Sequence, residues 1–507
     1  MPPKQTFLIV VGVGAWTALK WLLVTTFRLP EYLLWLDIAI VASLFFILPS
    51  RQTILRNFVG FLAAWIQLKY WLIAILQLPE AIKWADDAIL LVLFAGICMN
   101  AALTQRLIRS PIGGIIALSV GIAFISIVLN NVPILVGLVG LRAFGRYFLL
   151  YYLLLWLPID RRALRLFISV TLWTSLIQVI LAVVQFTGGL SSAPTSAGFW
   201  QIPDQVFGTF GAGTANHFGY YCLMLIFLAM IIAMMDRSYR RYFLFVPLLS
   251  VPWVLSSAKA SYLVFALLLF AGTLSIRSVR RVRYILPLLL VFLATGLYYA
   301  RTTQADNVMS VFLPSVESQS SYSKEGSGRL AIFQSLFTRL SDNPTHLLFG
   351  LGTGTVSTNL GGLSESTGAL PLEADLGNTT FLPTQVLQTA GEMGVLGMLA
   401  GWMILGLVGR MAIVTYQQGN DAFSKAAALI TVSFSAVLAL GAMTETIWTW
   451  QATGTMFWVF AAYVTTQNRK GISPARSEAR TGRKHPIGIE SAGTFRDLDS
   501  SFEKGKL

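Results

Sequence analysis

The residues of this chain best suited to chemistry are cations and carboxyls placed among apolar residues. Gly326-Ser327-Gly328-Arg329 opens a segment, Leu330 to Ser341, whose apolar residues at 330, 333, 336/337 and 340 follow the period of an amphipathic helix. Ser327 suits its N-cap, and Asn343-Pro344 is a stop signal. The free N–H groups of such a first turn, with the Arg329 guanidinium beside them, form a receptor for a phosphate or carboxylate. The plainer alternative is an exposed surface helix whose arginine has no special role. Arg142 and Arg146, four apart inside an apolar run, share one helix face. Lys69 lies in the middle of another run. A charge at the bilayer centre costs roughly 2.5–3.5 kcal/mol on insertion scales, so these residues are expected to face a protein interior, a cavity or a lipid headgroup. For Lys20, snorkelling to the interface is the simpler reading.

The elements that must position these groups are membrane spans. The chain has 507 residues, 55% hydrophobic and 12% charged, a composition of integral membrane proteins. Apolar runs predict spans near 5–27, 33–50, 57–78, 88–105, 112–130, 133–157, 163–187, 214–235, 242–257, 260–276, 283–300, 383–408, 426–444 and 447–466. Each is close to the ~20 residues that cross ~30 Å of hydrocarbon. The expected fold is therefore all-α, a polytopic bundle of about 12–14 spans. It divides into transmembrane helices over 1–300, one large extracytoplasmic loop with short helices over 301–382, further transmembrane helices over 383–466, and a disordered tail over 467–507.

Orientation follows from charge. Arg51 and Arg56, Arg106 and Arg109, Arg161, Arg162 and Arg165, Arg237, Arg240 and Arg241, and Arg277, Arg280, Arg281 and Arg283 all fall in alternate loops. The positive-inside rule makes those loops cytoplasmic, together with both termini, in a bacterial inner membrane. The net charge of +14 is then mostly topological, which argues against a nucleic-acid partner and leaves the basic tail in reach of anionic membrane lipids. Two cysteines in apolar runs and three scattered histidines support neither a disulfide framework nor a metal cluster. Neither a metal nor another cofactor is expected. Lys4 precedes an apolar run too long for a cleaved leader, and it reads as a retained first span.

On the predicted outer side, further polar groups fall at similar depth. Asn216 and His217 open the eighth span, Lys259 lies in the turn Ser256–Ser261, and Gln385, Gln388 and Glu392 occupy the first turns of the twelfth. Thr444-Glu445-Thr446 and Trp448 cap the last hairpin. The glycine runs Gly208–Gly219 and Gly350–Gly354 lack the strand–turn–helix context of a nucleotide loop. Gly391, Gly394 and Gly397 read as a close helix-packing face. Asp86-Asp87, in an outer loop, is read as loop charge, the alternative being a metal-binding pair.

With those residues in place, the chain resembles the O-antigen ligase/polymerase family of bacterial membrane glycosyltransferases. The resemblance covers roughly residues 200–400. It rests on Gly208-Thr209-Phe210-Gly211 with Asn216-His217-Phe218, the Ser256–Ser261 turn, Ser327-Gly328-Arg329 followed by Gly350–Gly354, and Gln388 with Glu392, Gly394 and Gly397. It implies metal-independent, inverting transfer from a polyprenyl-diphosphate-linked oligosaccharide to a glycan or lipid-linked acceptor on the outer face. It further implies that Arg329 engages the donor diphosphate. Lys259 stands where many members carry arginine, which keeps the charge but not the bidentate fork. Ligases of the family carry a histidine opening the helix before Glu392; here Pro383-Thr384 stands there, which favours a polymerase or a divergent glycan transferase. On this reading Arg329, Lys259, Arg142 and Arg146 hold the diphosphate, and Glu392 or His217 is the general base. Asn216, Gln388 and Glu445 are secondary candidates. The rival expectation is a transporter of an anionic solute, with its site near the midplane on broken helices.

Overall fold

A computed structural model describes residues 51–75, 82, 85–104, 109–187, 206–211, 214–256, 258–275, 336–356, 384–419 and 421–480. The expected spans at 5–27, 33–50 and 283–300, and most of the 301–382 loop, lie outside the described residues. What is described is helical, without strands. The helices are α1 (Arg51–Ile75), α2 (Ala85–Thr104), α3 (Gly113–Leu129), α4 (Ile134–Trp156), α5 (Arg161–Phe186), α6 (Ala215–Met235), α7 (Phe245–Leu255), α8 (Lys259–Ser275), α9 (Pro344–Phe349), α10 (Gln385–Gln418), α11 (Ala422–Gly441) and α12 (Gln451–Arg480). A 3₁₀ segment, Arg237–Leu244, joins α6 to α7. Among the described residues, α4, α5, α6, α10 and α11 are long and apolar enough to cross a membrane. Helices suit such sequences because each backbone N–H and C=O is satisfied within its own segment.

α6 is apolar on every side and sits at the centre, with 83% of its most apolar stretch buried. It packs against α7 and α11, while α10 packs on α11 and α3, and α1 packs on α5. Polar caps set several starting points. Asp160 accepts from the Ala163 N–H at 2.7 Å, and Thr384 from the Leu387 N–H at 3.3 Å. Asp421 accepts from the Ser424 N–H at 3.0 Å. Burial alone would raise the Asp421 carboxyl, but hydrogen bonds from Ser424 and the nearby Arg161 outweigh it and hold it below the ordinary carboxylate range.

The chain divides into two units, 1–468 and 469–507. Within the first, ion pairs and hydrogen bonds mark the two ends of the bundle. At one end Arg161, at the start of α5, reaches Asp236 at the end of α6 (3.6 Å) and Asp421 at the start of α11 (3.4 Å). At the other, the ends of α3 and α11 meet the starts of α6 and α10: Ser126 donates to the Glu392 carbonyl at 2.6 Å, and Asn216 donates to Glu445 at 2.9 Å. α12 runs on to Arg480, into the polar segment expected as a tail from 467; residues 481–507 lie outside the described residues.

Two local expectations change. Asn343-Pro344 ends one helix and starts another: the 336–341 stretch is helical, and Asn343 then caps α9 by accepting from the Thr345 N–H at 2.9 Å, with Pro344 in its first turn. The second change concerns Gly391, Gly394 and Gly397, which do not form a uniform packing face. Gly394 adopts φ 67° and ψ −169° and breaks α10. Its Cα lies against Leu348 and Phe349, where a Cβ would fall 2.2 Å from the Leu348 carbonyl oxygen. The break frees carbonyls from the helical ladder. That of Gly391 accepts from the Leu351 N–H at 2.7 Å, and that of Glu392 from Ser126.

Candidate functional site

The turn between α11 and α12, residues 442–450, connects the groups singled out above. Gln385, in the first turn of α10, donates its backbone N–H to the Glu445 carbonyl at 3.2 Å. Its side-chain oxygen accepts from the backbone N–H groups of Trp448 (3.1 Å) and Thr449 (3.3 Å). The Thr449 carbonyl in turn accepts from Arg146 and from the Tyr147 hydroxyl, both at 2.9 Å. One buried amide therefore links the start of α10 to the arginine face of α4 through a single turn.

Along α10 the series continues one turn further. Gln388 donates to the Glu392 carboxylate at 3.4 Å, and both are almost fully buried, at 4% and 3% exposure. Glu392 is fixed by its own backbone as well, because its carbonyl is bonded across to α3 just before the Gly394 break.

These residues line a cavity of about 740 Å³, its mouth included. Its polar groups are Gln385, Gln388, Thr389, Glu392, Tyr147, Thr449 and Ser119, while Phe144, Phe148, Trp448, Phe457, Trp458 and Leu438 supply apolar and aromatic wall. Along α10 the lining extends from Gln385 to Leu405, well past the break. The space is suited to an amphiphile or to a sugar ring stacked on an aromatic face, with a few polar groups to orient it.

The arginines of α4 are already engaged. Arg142 donates through Nε to Asp87 Oδ2 at 2.8 Å and also pairs with it through Nη2. Arg146 Nη1 lies 3.8 Å from Asp87 Oδ1. Neighbouring Asp86 is buried, 3.4 Å from Lys69 Nζ and hydrogen-bonded by Gln451. Asp86 and Asp87 are thus not loop charge: they form the first turn of α2 and bind cations of α1 and α4. The carboxylate oxygens of the pair face guanidinium, ammonium and amide donors, a setting unsuited to holding a metal ion.

The remaining candidates separate. His217 is buried; its Nε2 lies 3.1 Å from the Thr446 hydroxyl and its ring lies on Trp450 with centroids 5.4 Å apart. Asn216 and Glu445 bond each other, as above. Lys259 opens α8, its side chain outside the described residues, and Arg329 with Ser327 lies outside them altogether. The glycine runs serve packing. Gln185 accepts from the N–H groups of Phe207 and Gly208 and donates to the Gly208 carbonyl, and Gln178 receives the Thr209 N–H. Gly350–Gly354 inserts beside α3, α4 and α10: Asn130 donates to the Gly350 carbonyl (3.0 Å), Thr353 to the Ala123 carbonyl (3.1 Å), and Gly354 lies directly on Gly140. Positive φ at Gly350, Gly352 and Gly354 makes that insertion possible.

Sequence reasoning missed Asp87 as the partner of the arginines, and Tyr147 and Gln451 as members of the network. Depth gave no signal for the first, since Asp86-Asp87 precede the run predicted from 88 while Arg142 and Arg146 lie well inside the run predicted from 133. The chain matches no protein-family model, and no curated protein matches it.

Proposed function

We propose that the chain is a metal-independent, inverting glycosyltransferase of the outer membrane face, a surface or exopolysaccharide polymerase rather than a ligase. The observation that supports this reading best is the cavity: a buried carboxyl and two amides in its lining, aromatic side chains in its wall, and Arg146 linked to it through Thr449, with Arg142 beside Arg146 on Asp87. The donor is a polyprenyl-diphosphate-linked glycan. The acceptor hydroxyl attacks the anomeric carbon, its proton passes to Glu392, and the bond from that carbon to the diphosphate oxygen breaks from the opposite side. His217 is the alternative base, with Glu445 behind it. Leaving diphosphate concentrates negative charge, and preplaced cations lower the barrier. Arg329, Lys259, Arg142 and Arg146 are assigned to it.

The test is genetic. In a strain lacking the gene, complementation with Arg329→Ala or Lys259→Ala is expected to give shortened or absent polymer. Unchanged polymer length and amount would rule the mechanism out.

One feature favours a second reading. α10 is broken at Gly394, and the cavity continues past the break, as in carriers that bind an anionic solute on discontinuous helices. Proteoliposomes that move a sugar phosphate or other anion, but produce no polymer from a lipid-linked glycan, would select transport.

A further inference from the structure

The way Arg142 and Arg146 are satisfied points to a role for Asp87 that rests on the donor reading above. Two arginines one turn apart converge on one carboxylate: Arg142 hydrogen-bonds Oδ2 through Nε and Nη2, and Arg146 Nη1 lies 3.8 Å from Oδ1, within ion-pair but beyond hydrogen-bond distance. Two guanidinium groups around one small anion are also what recognises a phosphate, and Arg146 still has reach to spare for one. Asp87 contributes a single charge spread over two oxygens, whereas a diphosphate offers more charge and more acceptor oxygens to the same donors.

The pair is not sealed. The Arg142 side chain is 30% exposed and that of Asp87 14%, so an incoming anion can meet Arg142 before Asp87 has moved. The neighbouring Asp86 differs: it is 4% exposed, and Lys69 and Gln451 hold both its oxygens. The two adjacent carboxylates therefore divide the work, Asp86 anchoring α2 to α1 and α12, Asp87 occupying the arginine pair. Arg146 also keeps its bonds to the Tyr147 hydroxyl (3.0 Å) and the Thr449 carbonyl, which would hold it in place while Asp87 is exchanged.

We propose that Asp87 is an internal stand-in for the ligand's phosphate: it keeps Arg142 and Arg146 paired and oriented while the site is empty and is displaced when a lipid diphosphate binds. It competes with the ligand, so it sets affinity and prevents weaker anions from occupying the fork.

The probe is farnesyl diphosphate, with farnesol as control, titrated into the purified full-length chain in a detergent free of carboxylates. Asp87→Asn removes the competing charge and is expected to tighten farnesyl diphosphate binding by at least about tenfold, since the competent state no longer has to be freed first. Arg142→Gln is expected to weaken it by a similar factor, and farnesol should be indifferent to both. Wild-type chain supplies an independent readout: infrared difference spectra on binding the probe should contain a carboxylate-stretch shift. If Arg142→Gln weakens binding while Asp87→Asn leaves it equal or weaker, or if the wild-type spectrum has no carboxylate shift, the stand-in role is refuted and the donor reading survives. If neither Arg142→Gln nor Arg146→Gln alters binding, the stand-in role falls together with the assignment of these two arginines to the diphosphate.

Discussion

Replacing Gly394 by alanine tests whether the break in α10 is built as described. The glycine lies at φ 67°, ψ −169°, a region essentially closed to residues with a side chain, at a cost of about 1–3 kcal/mol. A Cβ there would stand 2.2 Å from the Leu348 carbonyl oxygen and 2.5 Å from the Phe349 nitrogen, both backbone atoms that can yield only by moving the 348–354 segment. Such a shift endangers two hydrogen bonds across the break, Leu351 N–H to the Gly391 carbonyl and Ser126 to the Glu392 carbonyl, each worth about 1 kcal/mol. The expected loss is about 3–5 kcal/mol. Gly406, in the same helix, is the internal control: nothing lies within 4 Å of where its Cβ would go, and alanine there should be neutral or gain up to about 1 kcal/mol. Unfolding of the two variants and wild type by titrated denaturing detergent, followed by tryptophan fluorescence, measures the difference. Gly394→Ala within about 0.5 kcal/mol of wild type would refute the reasoning, since surface-like tolerance is incompatible with that packing.

Other perturbations address different parts of the structure. Asp421 has its carboxyl held low, so its contribution is present above the ordinary carboxylate pKa and is lost as pH falls through the lower folded value; Asp421→Asn should keep the cap on α11 yet remove that acid-dependent step from a stability–pH profile. Asp421→Ala should cost about 1 kcal/mol at neutral pH, through the lost cap. Gln185→Ala leaves the N–H groups of Phe207 and Gly208 and the Gly208 carbonyl without their side-chain partner, and limited proteolysis should then cut in the 206–211 segment faster than in wild type. An unchanged cleavage pattern would mean that Gln185 does not hold the segment.

The helical architecture was legible because apolar run length carries it. The expected spans at 112–130, 133–157 and 214–235 correspond within a residue or so to α3, α4 and α6. α10 runs on to Gln418, ten residues past the expected end at 408, and is stopped at Gly419, whose N–H bonds the Thr415 carbonyl. The site was legible as depth but not as pairing. Asn216, Gln388, Glu392 and Glu445 do fall at one end of the bundle, yet nothing in composition tells that Asn216 meets Glu445 while His217 meets Thr446. Gln385 looks like a minor polar residue in sequence, because its role depends on a turn more than fifty residues away. Gly394 shows the same limit. Spacing three suggested a smooth contact face, whereas tertiary contact with Leu348 selects a conformation that only glycine tolerates.

The central claim, cations holding a departing lipid diphosphate while a buried Glu392 takes the proton, is tested most directly by turnover of purified protein. The substrate is a polyprenyl-diphosphate-linked glycan, the buffer contains a chelator, and product length is read on gels or by mass spectrometry. The account predicts polymer and released polyprenyl diphosphate from wild type with chelator present, and a loss of about 10²-fold or more in Glu392→Gln. Wild-type turnover that disappears with chelator, or undiminished turnover in Glu392→Gln, would contradict it.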